Sequence, residues 1–303
     1  MHTLLDAFAP AIGLMVLGHL LRRRGWVAPA FWPEAERLVF YILLPALLVL
    51  ATASVDLARL PVGAIAATIW LCQLAGTAMA LALAPLARGD WPALTSAVQG
   101  AIRFNNLVGL ALAVPLYGAE GLAISGVLLA VMVPVNNLIC VAVLSWGGAR
   151  RPQLGRLLLQ LAKNPLLASC AIGLALNLSG IGLPPGVGAV LRALGQGAVA
   201  LGLMAVGAAL TAEALASRPA LQLAVGVVKL VLLPAAVWAL GRLFGLAGEP
   251  LALSVLFMAL PTASSAYIMA RQMGGDAPLM ASITTTQHVV SVLTLPVILA
   301  LLG

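Results

Sequence analysis

Ten apolar stretches, each about as long as a bilayer is thick, leave this chain little choice of fold. They lie at about 4–21, 36–53, 62–84, 93–116, 121–145, 157–178, 187–210, 220–243, 250–271 and 278–302. A spanning helix needs about 20 predominantly apolar residues, and in lipid it must satisfy its own backbone hydrogen bonds. The connections are short and leave no room for a soluble domain. Of 303 residues, 62% are hydrophobic and 8% are charged, a balance foreign to soluble domains. The expected fold class is all-α and integral to a membrane: ten transmembrane helices forming a single domain over residues 1–303.

The formal charge of +7 would point to nucleic acid in a soluble protein. Here topology accounts for it, because Lys and Arg gather in cytoplasmic connections. Odd-numbered connections carry Arg22, Arg23, Arg24, Arg88, Arg150, Arg151, Arg156, Arg218 and Arg271; even-numbered ones carry Arg59 and Arg242. Both termini are therefore expected on the non-cytoplasmic side. The first stretch has its arginines after it rather than before it, opposite to a signal peptide, and is expected to stay uncleaved. Cys72, Cys140 and Cys170 fall inside apolar stretches without metal-ligand spacing and read as packing residues.

The ninth stretch is interrupted. Pro261 sits within it, removes a backbone donor and clashes with the preceding turn, so the helix should break there. Thr262, Ser264 and Ser265 follow and can serve the freed backbone or a solute. Irregular backbone at membrane depth survives only where protein buries it or where it lines a watery cavity.

A shift of 155 or 156 residues lays one half of the chain on the other. At 155, Pro10, Gly18, Gly25 and Pro29 fall on Pro165, Gly173, Gly180 and Pro184, and Arg37 falls on Arg192. At 156, Tyr117–Glu120 falls on Met273–Asp276, and Asn105 and Asn106 fall on Pro261 and Thr262. Five helices per copy is an odd number, so the copies, 1–147 and 152–303, must have opposite orientations in the membrane. That is the inverted-repeat plan of secondary transporters, which bind substrate where matching helices are broken. The fourth stretch, with Asn105, Asn106, Gly109, Pro115 and Gly118, is thus the expected broken partner of the ninth, the two approaching near the midplane.

Five strings carry a family resemblance: YILLPALL at 41–48, GAIRFNNLVGLAL at 100–112, NPLLASCAIGLALN at 164–177, LPTASSAYIMARQMGGD at 260–276 and TTTQHVVSVLTLP at 284–296. In this order they resemble the auxin efflux carrier family over the whole chain, in its bacterial form. The chain is also similar to the plant PIN carriers, to carriers of malonate-like anions and, more distantly, to bile acid symporters. The resemblance implies a scaffold of helices 1, 2, 6 and 7, a mobile bundle of helices 3–5 and 8–10, crossed helices 4 and 9, and a homodimer joined through the scaffold. By position it puts the helix-4 asparagine at Asn105 and the helix-9 proline at Pro261. This chain departs from the family's pattern in having Asn105-Asn106 where relatives often have Asn-Thr. It has Ala200 where a proline is frequent, Leu112 where plant carriers have a helix-4 proline, and His288 where Thr is common.

The nine acids (Asp6, Glu34, Glu36, Asp56, Asp90, Glu120, Glu213, Glu249 and Asp276) lie at helix ends or in connections. Cation exchangers normally keep carboxylates at the midplane, so cation exchange is not expected. His288 is the candidate for proton coupling or for a bond to a neighbour. Arg103 and Lys229 lie inside apolar stretches, where a charge costs about 2.5–3.5 kcal/mol and normally faces a cavity or a partner. An anionic substrate would satisfy them; Arg103 could equally pair with backbone carbonyls or reach the cytoplasmic surface, and the same holds for Lys229. Asn136, Asn137, Gln287 and Gln99 could line a site or bond between helices. Ser264, Ser265 and His288 offer the residue types of a serine–histidine pair, but no glycine-flanked serine, HExxH, P-loop or dinucleotide fingerprint accompanies them. No enzyme, metal or cofactor is expected.

The expected function is transport of a small organic anion, a carboxylate or auxin-like molecule, across a bacterial inner membrane by an elevator-type movement. The expected substrate-binding residues are Arg103, Asn105, Asn106, Asn136, Pro261, Thr262, Ser264, Ser265, Gln287 and His288. A sodium-coupled symporter of the bile-acid type, or a non-transporting receptor or subunit, is the alternative.

Overall fold

The computed structural model describes residues 2–53, 60–146, 155, 159, 163–210 and 217–302. Their regular structure is helical throughout. The helices are α1 (His2–Arg23), α2 (Phe31–Ala53), α3 (Val62–Leu81), α4 (Trp91–Ile102), α5 (Asn106–Trp146), α6 (Pro165–Leu178), α7 (Val187–Ala209), α8 (Pro219–Leu243), α9 (Gly248–Ala259), α10 (Ser265–Met273) and α11 (Ala277–Leu302). Six helices or joined runs among the described residues are long and apolar enough to cross a membrane. The fourth predicted stretch is divided between α4 and the start of α5, and the ninth between α9 and α10. Arg59, Arg150, Arg151, Arg156, Asp56 and Glu213 lie outside the described residues, as does the side chain of Asp6.

Pro115 does not interrupt its helix. The helix runs through it and breaks at Gly118 (φ 60°, ψ −142°), a conformation that glycine enters without a Cβ penalty. Prolines leave a different mark in α2 and α8, where the π turns Val39–Leu43 and Val228–Leu232 each run into Leu-Pro (Leu44-Pro45 and Leu233-Pro234). In both, the leucine N–H donates five residues back, to Val39 O or Val228 O. The wider turn relieves the clash between the proline ring and the carbonyl four residues earlier.

The chain divides into two compact units. The first comprises Met1–Val62, Leu107–Ala130 and Leu159–Leu210, and so holds α1, α2, α6 and α7. Its helices meet backbone to backbone at glycines. A Cβ on Gly18 would overlap the Met204 carbonyl, and one on Gly207 would overlap the Met15 carbonyl, so α1 and α7 touch as closely as helices can. Likewise a Cβ on Gly173 of α6 would lie 2.7 Å from the Val49 oxygen of α2. A shift of 155 carries Gly18 onto Gly173 and Val49 onto Met204, so the two contacts have equivalent partners. Asn177 donates to Ala53 O at 3.1 Å, and Arg22 to Ala208 O at 2.6 Å.

The second unit comprises Gly63–Asn106, Val131–Leu158 and Thr211–Gly303. Gly76 of α3 is filled by Leu233 and Ile102, and Gly100 of α4 by Ile283 and Val225. One charged cluster fastens three helix starts. Asp90 caps α4, Asp276 caps α11 by accepting from Leu279 N–H at 2.9 Å, and the Arg218 guanidinium pairs with both carboxylates. Arg218 also donates to Ala87 O at 3.0 Å, which helps hold it in the left-handed region (φ 48°).

Candidate functional site

Helix α4 stops at Ile102 because Arg103 turns extended (φ −72°, ψ 157°), and α9 stops where Leu260 does the same (φ −62°, ψ 143°). Leu260 precedes Pro261, whose ring bars the helical conformation from the residue before it. The two irregular segments meet: Asn105 N–H donates to Pro261 O at 2.8 Å. Two helix C-termini (α4 and α9) and two N-termini (α5 and α10) thus lie beside the irregular segments, bringing partial charges of both signs to one buried place.

Side chains satisfy the backbone groups these breaks set free. Gln287 on α11 accepts from Thr262 N–H at 2.9 Å and donates to Gly100 O at 2.8 Å, clipping one break to the other. The Thr262 hydroxyl is 3.2 Å from both Gln99 O and Arg103 O, and Asn136 donates to Ile102 O at 2.9 Å. Arg103 is held by side chains rather than by backbone carbonyls. It donates to Asn137 Oδ1 at 3.2 Å and Ser265 Oγ at 2.9 Å, with Met269 Sδ at 3.6 Å.

Asn105 and His288, each 2% exposed, bond through Nδ2 and Nε2 at 3.1 Å. The other ring nitrogen, Nδ1, is 2.8 Å from Thr284 O. A carbonyl only accepts, so Nδ1 carries the proton and Nε2 accepts from the Asn105 amide.

All ten expected residues fall in the second unit; nine lie in the segment 99–106 or bond to it, and Ser264 adjoins Ser265 in the chain. Asn105, Asn136, Thr262 and Gln287 brace the breaks. Ser264 Oγ is buried without a partner, and Asn106 is half-buried. Gln99, Lys229 and the Arg103 Nε also hold buried polar atoms without partners. Gln99 and Lys229 are fully buried. Among the described residues the acids lie at helix ends or in connections and none at the crossing. Asn137, Met269 and the Thr284 carbonyl complete the network outside the ten. The sequence marked Asn137 as a polar group on an apolar helix but gave no sign that its partner is Arg103. A cavity of about 570 Å³ in the first unit, flanked by Glu120 and Arg192, contains none of these groups.

A family model described as "membrane transport protein" matches residues 149–299, which include Pro261, Thr262, Ser264, Ser265, Gln287 and His288. No curated protein matches the chain.

Proposed function

Because the chain belongs to the membrane transport protein family, that of the auxin efflux carriers, we propose that it carries a small organic anion across the membrane at the crossing of its two broken helices. The family consists of transporters rather than enzymes. One observation carries the choice of an anion: Arg103 and the fully buried Lys229 lie within the spans of the second unit, and no described acid lies at the crossing. A cation in such a place normally has a partner or faces a cavity, and a carboxylate would provide the missing charge. Ser264 and Asn106 would donate to it, Arg103 would attract it, and Asn105 would bind it directly.

We further read the fold as ten transmembrane helices in two inverted five-helix repeats with helices 4 and 9 crossed. In support, the Gly18–Met204 and Gly173–Val49 contacts are equivalent at one sequence shift. An elevator-type movement fits a site whose ten residues all belong to one compact unit. A bacterial inner membrane, outward-facing termini and a homodimer through the first unit complete the proposal.

A thermal-shift screen of the purified protein against mono- and dicarboxylates tests the substrate class. Free ligand at 100 times its Kd stabilises a folded protein by about 2.7 kcal/mol. Carboxylates, malonate and indole-3-acetate among them, are expected to raise the melting temperature, while matched neutral amides are not. A shift with amides or with sodium chloride alone would remove the anion assignment.

A further inference from the structure

We propose that Lys229 carries the proton that accompanies the anion, as a neutral amine in the anion-free protein and an ammonium in the loaded one. This rests on the anion reading above and adds what that reading lacks, a group that ties the substrate to a driving ion.

Lys229 lies level with the crossing. α4, α8 and α11 all start from the Arg218 cluster, through Asp90, Arg218 itself and Asp276. Residues equally far along these helices therefore lie at similar depth. Lys229 comes ten residues after Pro219, Gln287 ten after Ala277, and Ile102 eleven after Trp91. At about 1.5 Å per residue each lies roughly 15 Å in, half the thickness of a hydrocarbon core of about 30 Å. Val225 and Leu233, one turn before and one turn after Lys229, fill Gly100 and Gly76, so that face of α8 looks onto α4 and α3. The π turn that holds Lys229 packs against α4, α9 and α11. Those are the helices that end at the crossing or supply Gln287 and His288 to it.

Lys229 is also uncommitted. His288 has both ring nitrogens engaged, and Arg103 donates to Asn137 and Ser265. Lys229 is fully buried, and its Nζ has no partner among the described residues. Gln99, likewise buried without a side-chain partner, does not titrate. At a shift of 156 Lys229 falls on Gln73, also fully buried, whose Nε2 donates to Met132 O at 3.2 Å. The matching position is thus tied to a neighbour where Lys229 is not.

No acid shares that depth among the described residues. α4 carries no titratable group between Asp90 at its cap and Arg103 beyond its end. α9 carries Glu249 in its first turn, at the end away from the crossing, and α3 carries the buried Cys72. α11 carries His288, with Asp276 at its cap, and α8 itself adds Arg242 in its last turn and Arg218 before its start. An ammonium enclosed beside Arg103 with no carboxylate would be a buried charge without compensation. The amine is therefore neutral until an anion arrives. A proton from water then bonds to the Nζ lone pair and breaks no bond within the protein, and the charge it brings offsets the anion's. Each strengthens the binding of the other by the same factor.

The chain has two lysines, Lys229 and the exposed Lys163, so the state of the amine can be read directly. ¹³C-lysine spectra of the full-length protein, assigned with Lys163→Arg, should show the Lys229 Cε signal passing from amine to ammonium on saturation with malonate or indole-3-acetate, while that of Lys163 stays. Calorimetric titration with the same anions runs between about pH 6.5 and 8.5, in two buffers of different ionisation enthalpy. Uptake should rise toward one proton per anion as the pH rises, with affinity falling by up to about tenfold per pH unit. In Lys229→Met, and in Lys229→Gln, which copies the matching position, residual binding should take up no proton and vary little with pH. The spectra and the wild-type titration do not depend on either variant folding. Anion binding without proton uptake, uptake that persists in Lys229→Met, or a Lys229 signal unchanged on loading overturns the coupling and spares the anion site. Absence of binding by either probe at every pH overturns the anion site and the coupling with it.

Discussion

Asn105 and Gln287 are both buried amides at the same crossing, yet their replacement should read out differently. Asn105 holds its place through its main chain, so Asn105→Ala leaves the bond to Pro261 O and removes the side-chain donor. A hydrogen bond to a charged ligand contributes about 1–3 kcal/mol, which is roughly a 5- to 150-fold loss of anion affinity, read by calorimetry on protein that still folds. Gln287→Leu instead strands the buried Thr262 N–H and Gly100 C=O, so its first effect should be on the melting temperature. An Asn105→Ala protein of lower melting temperature and unchanged affinity would make that residue a brace as well. Asn105 and Pro261 were legible beforehand because a repeat shift pairs them. Gln287 was legible only as a polar residue in an apolar helix, since its partners lie 25 and 187 positions away and local spacing says nothing of them.

At the level of helices, glycines and prolines decide where chains touch and where they break. Gly18→Val would drive two methyls into the Met204 carbonyl and force α1 from α7. Overpacking costs about 1–3 kcal/mol, visible as a lower melting temperature. Gly13→Ala is the control on the same helix: a Cβ there meets nothing within 4 Å, so the change should be neutral or stabilising by up to about 1 kcal/mol. Equal losses at both positions would refute the close contact. Gly18 was visible in the sequence as a repeat marker, but its contact was not, because helical periodicity reports a face and not the neighbour's backbone. Of the residues that interrupt the fourth stretch's apolar face, Pro115 stays helical, since proline is tolerated in a membrane helix when neighbours satisfy the freed carbonyl; the chain breaks at Arg103–Asn105 and again at Gly118, where positive φ is cheap.

Across the whole molecule, the Arg218 cluster ties the connections before α4, α8 and α11 to one end of the second unit. In the ten-helix reading proposed above these are odd-numbered connections, the ones rich in arginine, which the charge rule would put on the cytoplasmic side. A reporter active only outside the cytoplasm, fused after Gly303, should therefore be active; activity of a cytoplasm-only reporter there would overturn the orientation. The helical membrane class was legible from apolar length alone. The division into two units was legible only through the family resemblance, which sets helices 1, 2, 6 and 7 apart; the first unit holds those four, with Leu107–Ala130 besides. Apolar length and composition say nothing of it, because each unit is assembled from segments of both halves of the chain.

The bond from Asn105 to Pro261 has a further consequence. The shift of 156 sets these two residues upon one another, so the bond lies where a two-fold relation between the halves would map onto itself. Two identical halves would exchange a pair of bonds there, and a carrier so built would rest with equal ease open to either side. Pro261 has no N–H to give back. The return bond is chemically forbidden. Under the inverted-repeat reading proposed above, that missing hydrogen is one place where the two halves cannot be equivalent.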